Sequence, residues 1–176
     1  ITDDSTDDKT KEIVEPFLSD GRFAYHHNPQ PLGSPENWNY CVSLASGDYI
    51  KLLHHDDWFS AGDALQQLYD CAMRFPESGF IACGCRNCDT AGRPLGAPVM
   101  PDARFLKRLA RDRTGLFYAN KLRTPSATLI RRDVFQPFDP SLIWLVDLEQ
   151  YMRVLEKTSL AFLPVALVNV TATSPG

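Results

Sequence analysis

The segment at residues 47–58, Gly-Asp-Tyr-Ile-Lys-Leu-Leu-His-His-Asp-Asp-Trp, constrains the fold more than any other. Residues 49–53 form a short, largely apolar run with β-formers, the length of a buried strand in an α/β sheet. The run empties directly into His54, His55, Asp56 and Asp57. Open α/β sheets bind ligands just beyond the carboxyl ends of their strands. A strand that ends in four metal-competent side chains is therefore a candidate active site.

Composition narrows the class. The chain has 176 residues, enough for one domain with a proper core and few for two. It is 44% hydrophobic and 23% charged, a soluble globular balance. A net charge of -4 without a long basic block argues against a nucleic-acid footprint. The longest apolar run, 160–170, contains Pro164 and is too short to span a bilayer. No segment reads as a signal peptide. Five cysteines, Cys41, Cys71, Cys83, Cys85 and Cys88, are odd in number and unevenly spaced. They do not suggest a disulfide framework, so a reducing, cytoplasmic setting is expected. The first residue is Ile1 rather than Met, as in a sequence with something upstream removed, processed or not captured.

Local patterns divide the rest of the chain. Ile1 and Thr2 read as the tail of a strand. Thr10, Ile13, Val14, Phe17 and Leu18 fall at helical spacing, predicting a helix to about Ser19. Residues 22–27 read as a short strand and 28–35 as a loop. Ser34-Pro35 is a good helix start, with Trp38, Cys41, Val42 and Ala45 as its inner face and Gly47 as a left-handed cap. Ser60 is expected to cap a helix with Leu65, Leu68, Tyr69 and Ala72 along one side. Residues 79–85 predict a second apolar strand, and 89–92 a turn. Residues 94–101 predict an extended loop, and 102–113 a short basic helix with Phe105, Leu106 and Leu109 inward. Strand 127–130, helix 142–156 and strand 160–170 complete the pattern. Strands alternating with helices predict a mostly parallel sheet with helices on its faces.

Each chemical constellation has a plain alternative. Along a strand, His54 and Asp56 would face one way and His55 and Asp57 the other. The carboxylates suit Mg²⁺ or Mn²⁺, and they equally suit a turn after a strand. A zinc site drawing on His26, His27, His54 and His55 would need long-range convergence. Cys83, Cys85 and Cys88 lack a second ligand pair and read as core. The acidic opening at residues 3–8 suits a helix start, and its carboxylates could also accept from a nucleobase or ribose. Asp147, among bulky apolar residues, is either a general base or a helix cap.

Taken in order, these pieces resemble the family 2 glycosyltransferases, nucleotide-sugar transferases of the GT-A fold. Asp3-Asp4-Ser5-Thr6-Asp7 resembles the family's acidic turn, one residue shorter. Asn28, Gly33 and Asn37-Trp38-Asn39 resemble its Asn-x-x-x-Gly loop and helix. Ala45-Ser46-Gly47-Asp48-Tyr49-Ile50 precedes the strand, and His54-His55-Asp56 stands where the family has Asp-x-Asp. Pro125-Ser126, followed by Arg131-Arg132-Asp133-Val134-Phe135, resembles the acceptor-side strand and turn. The stretch from Phe138-Asp139-Pro140-Ser141-Leu142 to Val146-Asp147-Leu148-Glu149 resembles the segment bearing the catalytic acid.

The resemblance implies a GT-A-like, Rossmann-like α/β domain. Residues 1–90 would be its nucleotide- and metal-binding half and 91–176 its acceptor-side half. The strand and helix that open the family pattern would be absent. Asp3 would contact the nucleobase, with Asp4 nearby, and His54 and His55 would lie against the nucleotide. Asp56 with Asp57 would hold Mn²⁺ or Mg²⁺ against the diphosphate. Asp147 would deprotonate an acceptor hydroxyl for inverting transfer. The implied partners are a nucleotide-sugar donor, UDP-linked in the first instance, and a saccharide or lipid-linked acceptor. A sheet edge left open would favour a homodimer. A cytoplasmic or inner-membrane peripheral location would follow. Two other readings stand beside it: a non-catalytic nucleotide- or sugar-binding remnant, and a metal-dependent hydrolase using His54, His55 and Asp56.

Overall fold

The computed structural model describes residues 1–172. The chain forms two compact units, residues 1–46 with 137–146, and residues 47–136 with 147 onward.

The first unit is built on two short parallel strands, β1 (Thr2–Asp3) and β2 (His26–His27), with Thr2 opposite His26 and Asp3 opposite His27. Helix α1 (Lys9–Val14) runs into a 3₁₀ turn at Glu15–Phe17, close to the predicted end at Ser19. Of its apolar residues only Val14 is buried, while Ile13, Phe17 and Leu18 are exposed. Helix α2 (Glu36–Leu44) buries no residue fully, and Ala45, expected on its inner face, is exposed. Two strands of two residues each are too narrow to cover a helix face. Asn39 nonetheless ties α2 to the 137–146 segment. Its Oδ1 accepts the Phe138 N–H and its Nδ2 donates to the Phe138 carbonyl, both at 2.8 Å. Trp38 packs edge-on to the Phe138 ring at 5.2 Å. The expected caps of α2 are corrected. Its N-cap is Pro35, without a side-chain bond, and it ends in extended Ala45, so Gly47 forms no left-handed cap.

The second unit is a five-stranded sheet in the order β3 (Tyr49–Ile50), β6 (Thr128–Arg131), β5 (Phe80–Cys88), β7 (Leu160–Thr171), β4 (Asp57–Phe59). Residues along β5 alternate between two cores, as the period of a strand requires. Ile81, Cys83 and Cys85 face helix α3 (Ala64–Arg74) through Leu68, Cys71 and Ala72. Phe80 and Ala82 face α4 (Ala103–Leu109), α5 (Gly115–Tyr118) and α6 (Val146–Leu155) through Phe105, Leu109, Leu116, Tyr151 and Val154. Coverage on both faces is why β5 reads as a continuous apolar run. The strand is kinked at Gly84, where its register with β7 shifts. A Cβ at Gly84 would lie 2.8 Å from Met100 Cγ and 3.2 Å from the Val165 carbonyl oxygen, so a larger residue there would have to displace the Met100 side chain.

The α/β class is as expected, but the sheet is mixed. β5 and β7 are parallel, and the other three pairings are antiparallel. Alternating strands and helices fix the layers without fixing strand direction. Here β4 follows β3 after one turn, and the 89–127 excursion returns β6 antiparallel to β5. Other corrections are local. Ser60 donates to the Ala166 carbonyl instead of capping α3, whose N-cap position is Asp63, and Leu65 and Tyr69 are exposed. Asp102 caps α4 by accepting the Phe105 N–H at 2.8 Å. All five cysteines are free, and Cys83, Cys85 and Cys88 are buried.

Candidate active site

The strand predicted for 49–53 stops at Ile50, and this changes what the following residues can do. The chain turns at His55 and Asp56, with the Asp57 N–H donating to the His54 carbonyl at 3.1 Å, and only then begins β4. The alternation expected for an extended strand is lost. His54, Asp56 and Asp57 instead bring one ligand atom each within 4.8 Å of one another. His55 is exposed and stands outside this group. Asp57 is buried, Asp56 exposed and His54 half-buried. Burial lowers the His54 pKa, against the opposing pull of Asp57 and Asp56, so the ring is favoured in its neutral, ligating form. Two carboxylates and one imidazole form a donor set that fits Mn²⁺ or Mg²⁺.

The turn is held from behind by residues 124–126. Thr124 caps a 3₁₀ turn at Pro125–Ala127 through the Ser126 N–H. Its Oγ1 lies 3.5 Å from His54 Nδ1 and donates to Asp57 Oδ2 at 3.3 Å. Ser126 Oγ accepts the His54 N–H at 3.0 Å. Lys51 donates to the Ser126 carbonyl and, at 3.2 Å, to that of Leu52, with its ammonium 5.4 Å from the Phe59 ring centre. Burial pushes the Lys51 pKa down to about 8, with Cys83 and Asp57 opposing. Sequence reasoning missed Lys51 because it hides in the apolar run. A charged residue inside a strand predicted to be buried was the available signal.

Asp147 lies in the first turn of α6 and lines a cavity of about 260 Å³ with Asn120, Arg123, Thr124 and Val170. Burial raises its carboxyl above the usual carboxylate range. The Leu148 N–H and the Asn120 amide, which donates to Oδ2 at 2.9 Å, only partly offset this. A half-buried carboxyl whose pKa is raised by burial, lining a cavity, is a candidate proton acceptor. Thr124 belongs both to this cavity and to the neighbourhood of His54 and Asp57. Asn120, Arg123 and Thr124 come from one loop without a recognisable motif, so only the structure reveals them.

Asp3 and Asp4 lie in the first unit. Asp3 accepts the Ser5 N–H at 2.9 Å and the Tyr25 hydroxyl at 2.7 Å. Asp4 accepts Asn28 Nδ2 at 2.6 Å and the N–H groups of Leu32 and Gly33 at 3.1 and 2.8 Å. Burial opposes ionisation at both, but these donors outweigh it and hold both carboxyls below their usual range. The Tyr25 hydroxyl is in turn pushed up to about 12 by burial and by Asp3. His26 and His27 form β2 of this unit. Among the described residues, the group of three metal-competent side chains is His54, Asp56 and Asp57.

The fold is shared with solved structures of S. aureus TarS. S. aureus TarS 1-349 superposes with a TM-score of 0.70 at 17% identity, covering 97% of this chain and 50% of that one. S. aureus TarS gives a TM-score of 0.71 at 18% identity, covering 97% of this chain and 30% of that one. S. aureus TarS 1-349 in complex with UDP gives a TM-score of 0.70 at 17% identity, with 98% and 50% covered. At these identities the likeness concerns the fold, and the chain spans half the length of TarS 1-349. No curated protein matches the chain. The family model for glycosyl transferase family 2 matches residues 1–138, and the chain belongs to that family.

Proposed function

We propose that the chain carries out inverting transfer of a sugar from a nucleotide-sugar donor, UDP-linked, to an acceptor hydroxyl. The observation that carries this reading is Thr124, which touches His54 and Asp57 and also lines the cavity that holds Asp147. A donor diphosphate and a general base are needed within one sugar of each other, and this arrangement supplies candidates for both. His54, Asp56 and Asp57 would hold Mn²⁺ or Mg²⁺, with His55 at the exposed rim of the turn. When bound there, the cation would neutralise charge developing on the diphosphate leaving group. Asp147 accepts the proton of the acceptor hydroxyl, whose oxygen attacks the anomeric carbon opposite the leaving group and inverts it. Desolvation keeps Asp147 basic enough for this, and Asn120 fixes the direction of its carboxylate. In the first unit, Asp3 retains acceptor capacity beyond its two bonds and is assigned to the nucleobase. Asp4 holds the loop at residues 28–33 in place for it. The acceptor is a saccharide or a lipid-linked saccharide.

Calorimetric titration of UDP into the chain tests this reading, first with Mn²⁺ and then with EDTA. Saturable binding that EDTA abolishes is the expected result. UDP binding that persists unchanged in EDTA removes the cation from the account. Absence of binding in both conditions removes the donor site and favours a remnant without transfer activity.

A further inference from the structure

Arg123 has a φ of +66°, in the left-handed region where the Cβ of an ordinary residue crowds the following carbonyl. Such strain persists only where the surroundings over-determine it, and it concentrates at ligand sites. The surroundings here do so. The Arg123 N–H donates to Asn120 Oδ1 at 2.8 Å. Its carbonyl accepts from Asn120 Nδ2 and from the Tyr151 hydroxyl, each at 3.2 Å. Glycine would make the same three bonds without a Cβ, so the backbone alone gives no reason for an arginine.

The side chain supplies one. Nη2 donates to Asn87 Oδ1 at 3.0 Å, and the guanidinium lies beside the Cys85 thiol. Both neighbours are uncharged. Among the described residues, Arg123 makes no ion pair. A guanidinium offers five N–H donors in a planar fork that matches phosphate and carboxylate oxygens. This one is half-buried, in a chain of net charge -4, and lines the same cavity as Asp147. Asn87 and Val170 place it beside the carboxyl ends of the parallel pair β5 and β7, where α/β sheets receive ligands.

We infer that Arg123 anchors an oxyanion, a phosphoryl or carboxylate group, carried by the acceptor. The inference rests on the reading of Asp147 as the base: the acceptor hydroxyl must reach Asp147, so the remainder of that cavity belongs to the acceptor. The donor's diphosphate would be answered by a cation held at His54, Asp56 and Asp57. The acceptor is then an acidic molecule, and a neutral saccharide would leave the guanidinium uncompensated.

The test uses inorganic phosphate as the probe, titrated into the full chain in EDTA so that no cation recruits it. Wild type, Arg123→Gly and Arg123→Lys are compared. Arg123→Gly relieves the left-handed strain and is expected to melt at or above the wild-type temperature, so a loss of binding cannot be assigned to unfolding. Phosphate is expected to bind wild type and to bind Arg123→Gly at least tenfold more weakly, as one lost charge-assisted pair implies. Arg123→Lys, which keeps the charge and loses the fork, should fall between them. Equal phosphate affinity in wild type and Arg123→Gly, or none in wild type, overturns the site. A second arm adds UDP with Mg²⁺. Phosphate retained beside bound UDP supports an acceptor oxyanion. Phosphate displaced by UDP, with UDP affinity reduced in Arg123→Gly, assigns the guanidinium to the donor and overturns the acceptor assignment. UDP that fails to bind at all overturns the donor reading, and the assignment with it, while the metal-free arm still decides whether Arg123 binds an oxyanion.

Discussion

In the first unit the Asp4 carboxylate accepts three hydrogen bonds, from Asn28, Leu32 and Gly33, and its pKa lies below the ordinary value. In the sheet unit the Asp147 carboxylate accepts one side-chain bond, from Asn120, and burial holds its pKa above that value. Both aspartates face an asparagine amide, so the difference does not come from the neighbour. It comes from the backbone around Asp4 and the cavity around Asp147. A carboxylate encircled by N–H groups is committed to holding a loop. One that is desolvated with few donors stays available to a proton. Asp56 stands apart from both, exposed at a turn and converging with His54 and Asp57.

Four outcomes would sharpen or break this contrast. Asp147→Asn should lower the transfer rate by about 10²–10⁴-fold, the usual worth of a general base, with UDP affinity unchanged. Full transfer in that variant returns Asp147 to a structural role in α6. Asp56→Ala should make the UDP isotherm in Mn²⁺ coincide with that in EDTA. An unchanged Mn²⁺ isotherm takes Asp56 out of the site. Asp4→Ala leaves the Leu32 and Gly33 N–H groups of an exposed loop to water, while Asn28 Nδ2 keeps its bond to Asn37 Oδ1, and should cost about 0.5–1.5 kcal/mol in urea denaturation. No shift in the urea midpoint would mean that water replaces the carboxylate without penalty.

The smallest effect is on stability, and its sign follows from the direction of the shift. A carboxyl whose folded pKa is raised favours the fold below its unfolded value of 3.8, and loses that contribution as pH rises through the folded pKa. Asp147→Asn should therefore be more stable than wild type at pH 7, read as a higher melting temperature. The gap should close toward pH 3. Asp3 and Asp4 act in the opposite sense: their lowered pKa values stabilise the fold above 3.8, and that contribution is lost as pH falls through the folded values. A gap that widens as pH falls would contradict the assignment of Asp147.

Periodicity found the layers. The strand at 79–85, the helix at 102–113 with Phe105 and Leu109 inward, and the buried cysteines were all legible, because local pattern decides which face is apolar. Strand direction was not, since three of the four pairings in the larger sheet are antiparallel and direction depends on connections that carry no periodic signal. The site was legible as residue types and not as geometry. His54, Asp56 and Asp57 converge only because β3 stops at Ile50 and the chain turns, an outcome that tertiary pairing with Arg131 and Ile130 decides. Arg123 was invisible because nothing in an Asn-Lys-Leu-Arg-Thr run announces a left-handed arginine.

The most direct measurement is a ¹³C-carboxyl NMR titration of the aspartates in the substrate-free chain between pH 2 and pH 9. It needs no knowledge of donor sugar or acceptor. The account predicts that Asp147 titrates above the ordinary carboxylate value, and that Asp3 and Asp4 titrate below it. An Asp147 that titrates at or below the ordinary value, alongside Asp4, would contradict the claim that the cavity keeps this carboxylate available as a base.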